Sequence, residues 1–159
     1  MSPPAEIQAD TLKRFIAGWG GWTMESFFAT LSDDFTQKPL PLRCGEPARG
    51  REQLYPLLSS LMAMTTNFKL TIHNTIHDPS NNAAVVYAVT DGDTPFGPYH
   101  NEQAVFLWFN SKGDKVDRIE ELFDTAFMAD FQPKFKKWAL ENPGAAAGRP
   151  PPANPNALE

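Results

Sequence analysis

Apolar residues recur along this chain at two spacings, and the change from one to the other divides it. Over residues 5–19, Ile7, Leu12, Phe15, Ile16 and Trp19 return every three or four positions, which predicts a helix with one buried face. Gly18, Gly20 and Gly21 are expected to end it. Thr23 is placed to cap a second short helix, with Glu25 in its first turn and Phe27, Phe28 and Leu31 as its apolar stripe. Phe35 to Arg43 predicts a short strand, which Pro39 and Pro41 restrict to an edge or a bulge. A third helix is expected over 50–64, carrying Leu54, Leu57, Leu58, Leu61 and Met62. Pro56 lacks an N–H, so it either delays the start of that helix or bends it.

From Phe68 the period becomes two. Phe68, Leu70 and Ile72 alternate with Lys69, Thr71 and His73, as in a half-buried strand. A turn at 78–82 leads to a strand over 83–90, and residues 91–98, rich in breakers, read as a loop. A long strand over 99–110, a hairpin turn at 111–114 and a last strand over 116–123 follow. Phe127, Met128, Phe131, Phe135 and Trp138 then predict a final helix, bent at Pro133. Long consecutive strands joined by short turns are antiparallel, so the expected class is α+β. A strongly curved sheet wrapped around three helices encloses a conical pocket.

Composition narrows the setting. The 159 residues are 42% hydrophobic with net charge −5 and one cysteine, Cys44. That supports one core over 1–142 and excludes an intrachain disulfide or a Cys-based metal site. No basic run offers itself to nucleic acid. No apolar stretch is long enough for a membrane helix, and the first residues do not resemble a signal peptide. The expectation is a soluble, cytoplasmic protein. Residues 143–159 hold five prolines and one large apolar residue, so they are expected to form a disordered tail, with Leu158-Glu159 as a tag scar.

Three strings carry a resemblance: Gly113-Asp-Lys-Val-Asp-Arg-Ile-Glu-Glu-Leu-Phe-Asp124, Gly97-Pro-Tyr-His-Asn-Glu102 and Leu40-Pro-Leu-Arg-Cys-Gly-Glu-Pro47. With the element order, they resemble the SnoaL-like branch of the NTF2-like superfamily over about residues 5–140. The second and third strings resemble a sub-branch of fungal natural-product isomerases and cyclases. The resemblance implies a cone-shaped barrel, often a homodimer packed through the outer sheet face. It implies isomerisation, cyclisation, epoxide hydrolysis or dehydration, mostly with no cofactor. The superfamily also holds binding modules such as nuclear transport factors, so fold alone does not give function.

Candidate chemistry centres on Glu121. Alternation puts Ile119, Glu121 and Phe123 on one face of the last strand. A carboxylate among apolar neighbours is driven toward its neutral form, which suits general acid–base work; the alternative is an ion pair with a neighbouring strand. Tyr99, Asn101 and Gln103 share a face of the preceding strand. Tyr99 is a second catalytic candidate, as a donor to a carbonyl or developing oxyanion. Asn101, Gln103, Arg43, Trp22, Tyr87 and Phe123 are candidate substrate-binding residues. His100 and Glu102 are expected to pair on the opposite face, at a dimer surface, or to form a catalytic pair if a bulge near Pro98 shifts the register. His73 and His77 lie about 13 Å apart by strand rise, too far for one metal, and are expected at the surface. Asp124 is expected to cap the final helix. The resulting reading is a cofactor-free isomerase, cyclase or dehydratase acting on a hydrophobic, oxygenated small molecule. The alternatives are a non-catalytic binding or dimerisation module and a protein-interaction domain.

Overall fold

The computed structural model describes residues 4–146. Helix α1 (Ala5–Gly21) buries Leu12, Phe15 and Trp19. It runs through the three glycines expected to end it. Trp22 closes it in a left-handed conformation, φ 51° and ψ 41°, with its N–H donating to Trp19 O. The glycines serve packing instead: a Cβ at Gly18 would stand 2.2 Å from the Ser26 carbonyl oxygen. Helix α2 (Met24–Phe28) therefore sits tightly against α1. Thr23 caps α2 as expected, accepting from Ser26 N while the Ser26 hydroxyl accepts from Thr23 N.

Strand β1 (Leu31–Leu40) begins four residues earlier than expected and ends before Arg43. Helix α3 (Arg51–Met64) contains Pro56 inside it. Pro56 is exposed, so its ring faces solvent, and Gln53 Oε1 satisfies the Gly50 N–H at the helix start. Strands β2 (Thr66–Asp78), β3 (Ala83–Thr94), β4 (Gly97–Phe109) and β5 (Val116–Leu122) follow, then α4 (Thr125–Glu141). Asp124 caps α4, accepting from Ala126 N and Phe127 N at 3.1 Å each.

The five strands form one curved, unclosed sheet in the order β1-β5-β4-β3-β2. Strands β2 to β5 are an antiparallel meander, and β1 joins the far edge parallel to β5. Pro39 is therefore on an edge strand. The loop expected over 91–98 is mostly strand, because Asp91 and Asp93 pair with Lys69 and Thr66 across β2. Only Pro95 and Phe96 remain at the tip. Gly92 permits that pairing: a Cβ there would stand 2.5 Å from Thr65 Cγ2. Tertiary pairing overrides the local breakers here.

The main core lies on the concave face, where Phe15, Leu31, Phe35, Val86, Leu107 and Ile119 meet. A second cluster joins α4 to the start of β4 and the end of α3 through Phe131, Tyr99 and Met64. Residues Pro143–Ala146 form a short 3-10 turn. The rest of the expected tail, 147–159, lies outside the described residues.

Candidate functional site

Between the two cores is a cavity of about 260 Å³. Helices α1 and α2 give it Phe15, Trp19, Trp22 and Phe27; α3 gives Leu54, Leu57, Leu58 and Leu61. From α4, Phe131 and Phe135 add an aromatic wall, their rings stacked 5.8 Å apart. Trp22 stacks on Phe68 at 3.7 Å between centroids. Its left-handed backbone is rare for a bulky residue, and it turns the chain out of α1 just where the indole joins the wall.

Into this apolar space β5 sends one carboxylate. Glu121 lies between the inward positions of Ile119 and Phe123, and all three line the cavity. Glu121 is half-buried at the cavity lining, and burial pushes its carboxyl up from 4.5 to about 7. The hydrogen bond from Gln37 Nε2, at 3.1 Å, and the charge of Arg49 oppose that rise. Both protonation states are therefore populated near neutral pH. No ion pair with a neighbouring strand satisfies Glu121 among the described residues.

On the neighbouring strand β4, Tyr99 lines the same cavity. It is 5% exposed, and burial, then the charge of Glu121, hold its hydroxyl well above the usual phenol range. It remains a donor at any working pH. Its ring is held edge-on by Phe127 and Phe131 at 5.2 and 5.1 Å. Gln103 and Thr90 line the same wall. Asn101 is fully buried behind that lining rather than in it, bonded to Gln103 and to the Asp124 N–H.

Two further expected pocket residues are elsewhere. Arg43 sits in a 3-10 turn beyond β1, exposed and off the cavity, because the strand ends at Leu40. Tyr87 is on the outer face of β3, between the inward Val86 and Ala88, and its hydroxyl donates to Glu102. That contact also corrects the expected His100–Glu102 pair, since His100 bonds Asp91 at 2.5 Å instead. His73 is exposed, edge-on to Tyr87. His77, expected at the surface, is half-buried and bonds Gln8 of α1 at 2.9 Å. Among the described residues no group of three His, Cys, Asp or Glu is placed to hold a metal ion. No described helix is long and apolar enough to cross a membrane.

Sequence reasoning missed Gln37 and Arg49. Gln37 is inward on β1 and 5% exposed, and its Oε1 is buried with no partner. Its backbone exchanges two 2.8 Å hydrogen bonds with Arg49, which brings Arg49 into the lining beside Glu46. The alternation Phe35, Gln37, Pro39 was the available signal for Gln37. Arg49 had none, since its place depends on an isolated bridge to β1.

No family model matches the chain. A Claviceps purpurea protein named monooxygenase is 95% identical over 154 residues, covering 97% of this chain and 98% of its own. Monooxygenase nsrQ of Aspergillus novofumigatus is 53% identical, covering 89% and 94%. A Claviceps purpurea protein named ergochrome gene cluster protein is 41% identical, covering 85% and 88%. Among solved structures, the BvnE pinacolase of Penicillium brevicompactum superposes with a TM-score of 0.76 at 21% identity, covering 84% of this chain and 93% of that one. A Shewanella denitrificans protein described as a SnoaL-like polyketide cyclase has a TM-score of 0.64 at 11% identity, covering 80% and 98%. These likenesses give the SnoaL-like, NTF2-like fold.

Proposed function

Because the chain belongs to the fungal family of these Claviceps and Aspergillus relatives, built on the SnoaL-like form of the NTF2-like fold, we propose that it is a cofactor-free isomerase, cyclase or dehydratase. Its substrate is a hydrophobic, oxygenated small molecule of secondary metabolism. The observation that carries this reading is Glu121: one carboxyl poised near pH 7 in a largely apolar cavity, on the strand beside a phenol that keeps its proton. Glu121 takes a proton from substrate carbon or oxygen, and the electron pair moves onto a substrate oxygen held by the Tyr99 hydroxyl. Glu121 then returns the proton at a new position, giving isomerisation. Alternatively the enolate closes on an internal electrophile, or hydroxide leaves as water. Trp22 and Phe123 pack the substrate's apolar body.

The relatives' name favours a second reading, insertion of oxygen. Product mass separates the two. Isomerisation and cyclisation leave the mass unchanged, dehydration lowers it by one water, and monooxygenation adds one oxygen atom from O2. The test uses extract from a Claviceps purpurea strain lacking the 95% identical relative, incubated under labelled O2 with this protein and with Glu121→Gln. Conversion by the parent alone, with no label taken up, supports acid–base chemistry. Label in the product, or equal conversion by the variant, sinks it. A non-catalytic binding module predicts no conversion by either protein.

The proposal includes a homodimer packed through the outer sheet face, where Ile76 and Leu122 are 60% and 41% exposed. Light scattering on the parent and on Ile76→Glu tests it: a monomeric parent removes the dimer.

A further inference from the structure

Hydrogen bonds behind the cavity wall set the polarity of its inner edge. The backbone N–H of Asp124 donates to Asn101 Oδ1 at 3.2 Å. An N–H only donates, so the Asn101 atom facing it is the carbonyl oxygen, and the amide nitrogen faces the other way. There Asn101 Nδ2 donates to Gln103 Oε1 and lies 3.5 Å from the Tyr99 hydroxyl oxygen. The same logic turns Gln103. Its Oε1 is occupied from behind, so Nε2 is the group left for the cavity that Gln103 lines. Tyr99 receives an N–H at its oxygen and also meets the Thr90 hydroxyl; with Thr90 donating in that contact, Tyr99 turns its own O–H to the cavity. By strand rise residues 99 and 103 are about 13 Å apart, but both side chains reach the one Asn101 nitrogen, which draws their polar ends together.

We infer that Gln103 Nε2 and the Tyr99 hydroxyl form a two-donor cradle for a ligand oxygen that becomes negatively charged, a phenolate or an enolate, and that Asn101 is the residue that positions both. The direction of proton transfer rests on the proposed function; the assignment of donors does not. Glu121 on the neighbouring strand loses its charge as it accepts the ligand's proton, so the oxyanion forms without a like charge beside it. Fixed donors in a largely apolar, partly open cavity favour the charged form of the ligand over the neutral one. This changes the part of Asn101, expected to touch substrate, to that of a brace behind Gln103. It also accounts for a strand that spends three inward positions on polar side chains, each buried to at least nine-tenths.

The test uses 2-naphthol, whose neutral and ionised forms differ in absorption. With the parent protein, the bound probe is expected to ionise at a pH where free naphthol stays neutral. Gln103→Leu is expected to weaken uptake of the ionised form roughly tenfold, the fold-change of one hydrogen bond to a charged group. Binding of 2-methylnaphthalene should not follow. Asn101→Asp keeps an acceptor for the Asp124 N–H but cannot donate, so Gln103 turns its N–H inward and shows Oε1 to the cavity. That variant is expected to prefer neutral naphthol, whereas a merely structural role for Asn101 weakens both forms alike. Should Asn101→Asp fail to fold, Gln103→Leu and Tyr99→Phe decide between donors and bystanders. A parent that leaves naphthol in water or takes up only its neutral form overturns the inference, as does a Gln103→Leu that binds the ionised form as tightly. If the naphthol pattern holds while Glu121→Gln converts the Claviceps extract as the parent does, the cradle stands and the acid–base function falls. The converse pattern overturns the cradle alone.

Discussion

Glu121→Gln removes a charge and keeps the shape, so its effect on stability measures what burial does to that carboxyl. Burial raises its proton affinity from an ordinary 4.5 to about 7. At about 1.4 kcal/mol per tenfold change in affinity, ionised Glu121 is about 3 kcal/mol less favourable in the folded protein than in the unfolded chain at pH 8. The sign follows from proton binding. The folded state holds the proton more tightly, so the stabilising contribution of the protonated carboxyl is fully present below about 4.5 and is lost as pH rises through about 7. The substitution need not lose a hydrogen bond. Gln37 has a buried Oε1 with no partner, and turning its amide over offers that oxygen to the new N–H. For a chain of this size the variant should melt about 5–10 °C above the parent at pH 8, with any water in the cavity drawing the gain to the lower figure. At pH 5 the gain should shrink to about a quarter of that. Thermal melts of both proteins at pH 5, 6, 7 and 8 read the difference. A gap that stays constant with pH, or a variant that melts lower at pH 8, refutes the reasoning and makes Glu121 a satisfied structural partner.

Gln37→Leu removes the donor that opposes the rise at Glu121, so the carboxyl should titrate above about 7; a carbon-13 NMR titration of glutamate carboxyls that finds it unchanged or lower counts against the Gln37 contact. Gly18→Ala sets a Cβ 2.2 Å from the Ser26 carbonyl oxygen and should destabilise the protein by about 1–3 kcal/mol in urea unfolding; an unchanged midpoint would mean that α1 and α2 can part without loss. Arg43→Ala and Tyr87→Phe, both off the cavity, should leave conversion of the Claviceps extract within about twofold; a larger loss in either would return that residue to the site.

Period alone carried most of the architecture. The alternation that set Ile119, Glu121 and Phe123 inward is present, because β5 is paired on both sides and cannot slip without exposing Ile119. Tyr87 was misplaced because β3 is apolar on both faces, Val85, Tyr87 and Val89 against Val86 and Ala88, so alternation there does not say which side is inner. Arg43 was misplaced by a strand end: pairing to β5 stops at Leu40 with Leu122, where Pro41, read as an edge or bulge position, ends the strand instead. The α4 wall was read as a helix stripe, and no periodicity says that Phe131 and Phe135 meet a cavity rather than a filled core. Gln37 was passed over because a neutral amide on an edge strand carries no charge or periodicity signal of a site. Its value lies in a partner 84 residues away.

That separation has a consequence in time. The Gln37–Glu121 contact spans the parallel seam between β1 and β5, so the site closes only when the last strand arrives beside the first. During synthesis the early helices and β1 emerge with an apolar hollow that has neither floor nor acid. Contacts this distant in the chain form late and slowly, and a nascent chain waiting for them exposes sticky surface. The pocket is thus a record of completed folding. A molecule that enters it meets only finished protein, and a truncation before Val116 would remove Ile119, Glu121 and Phe123 from the lining together.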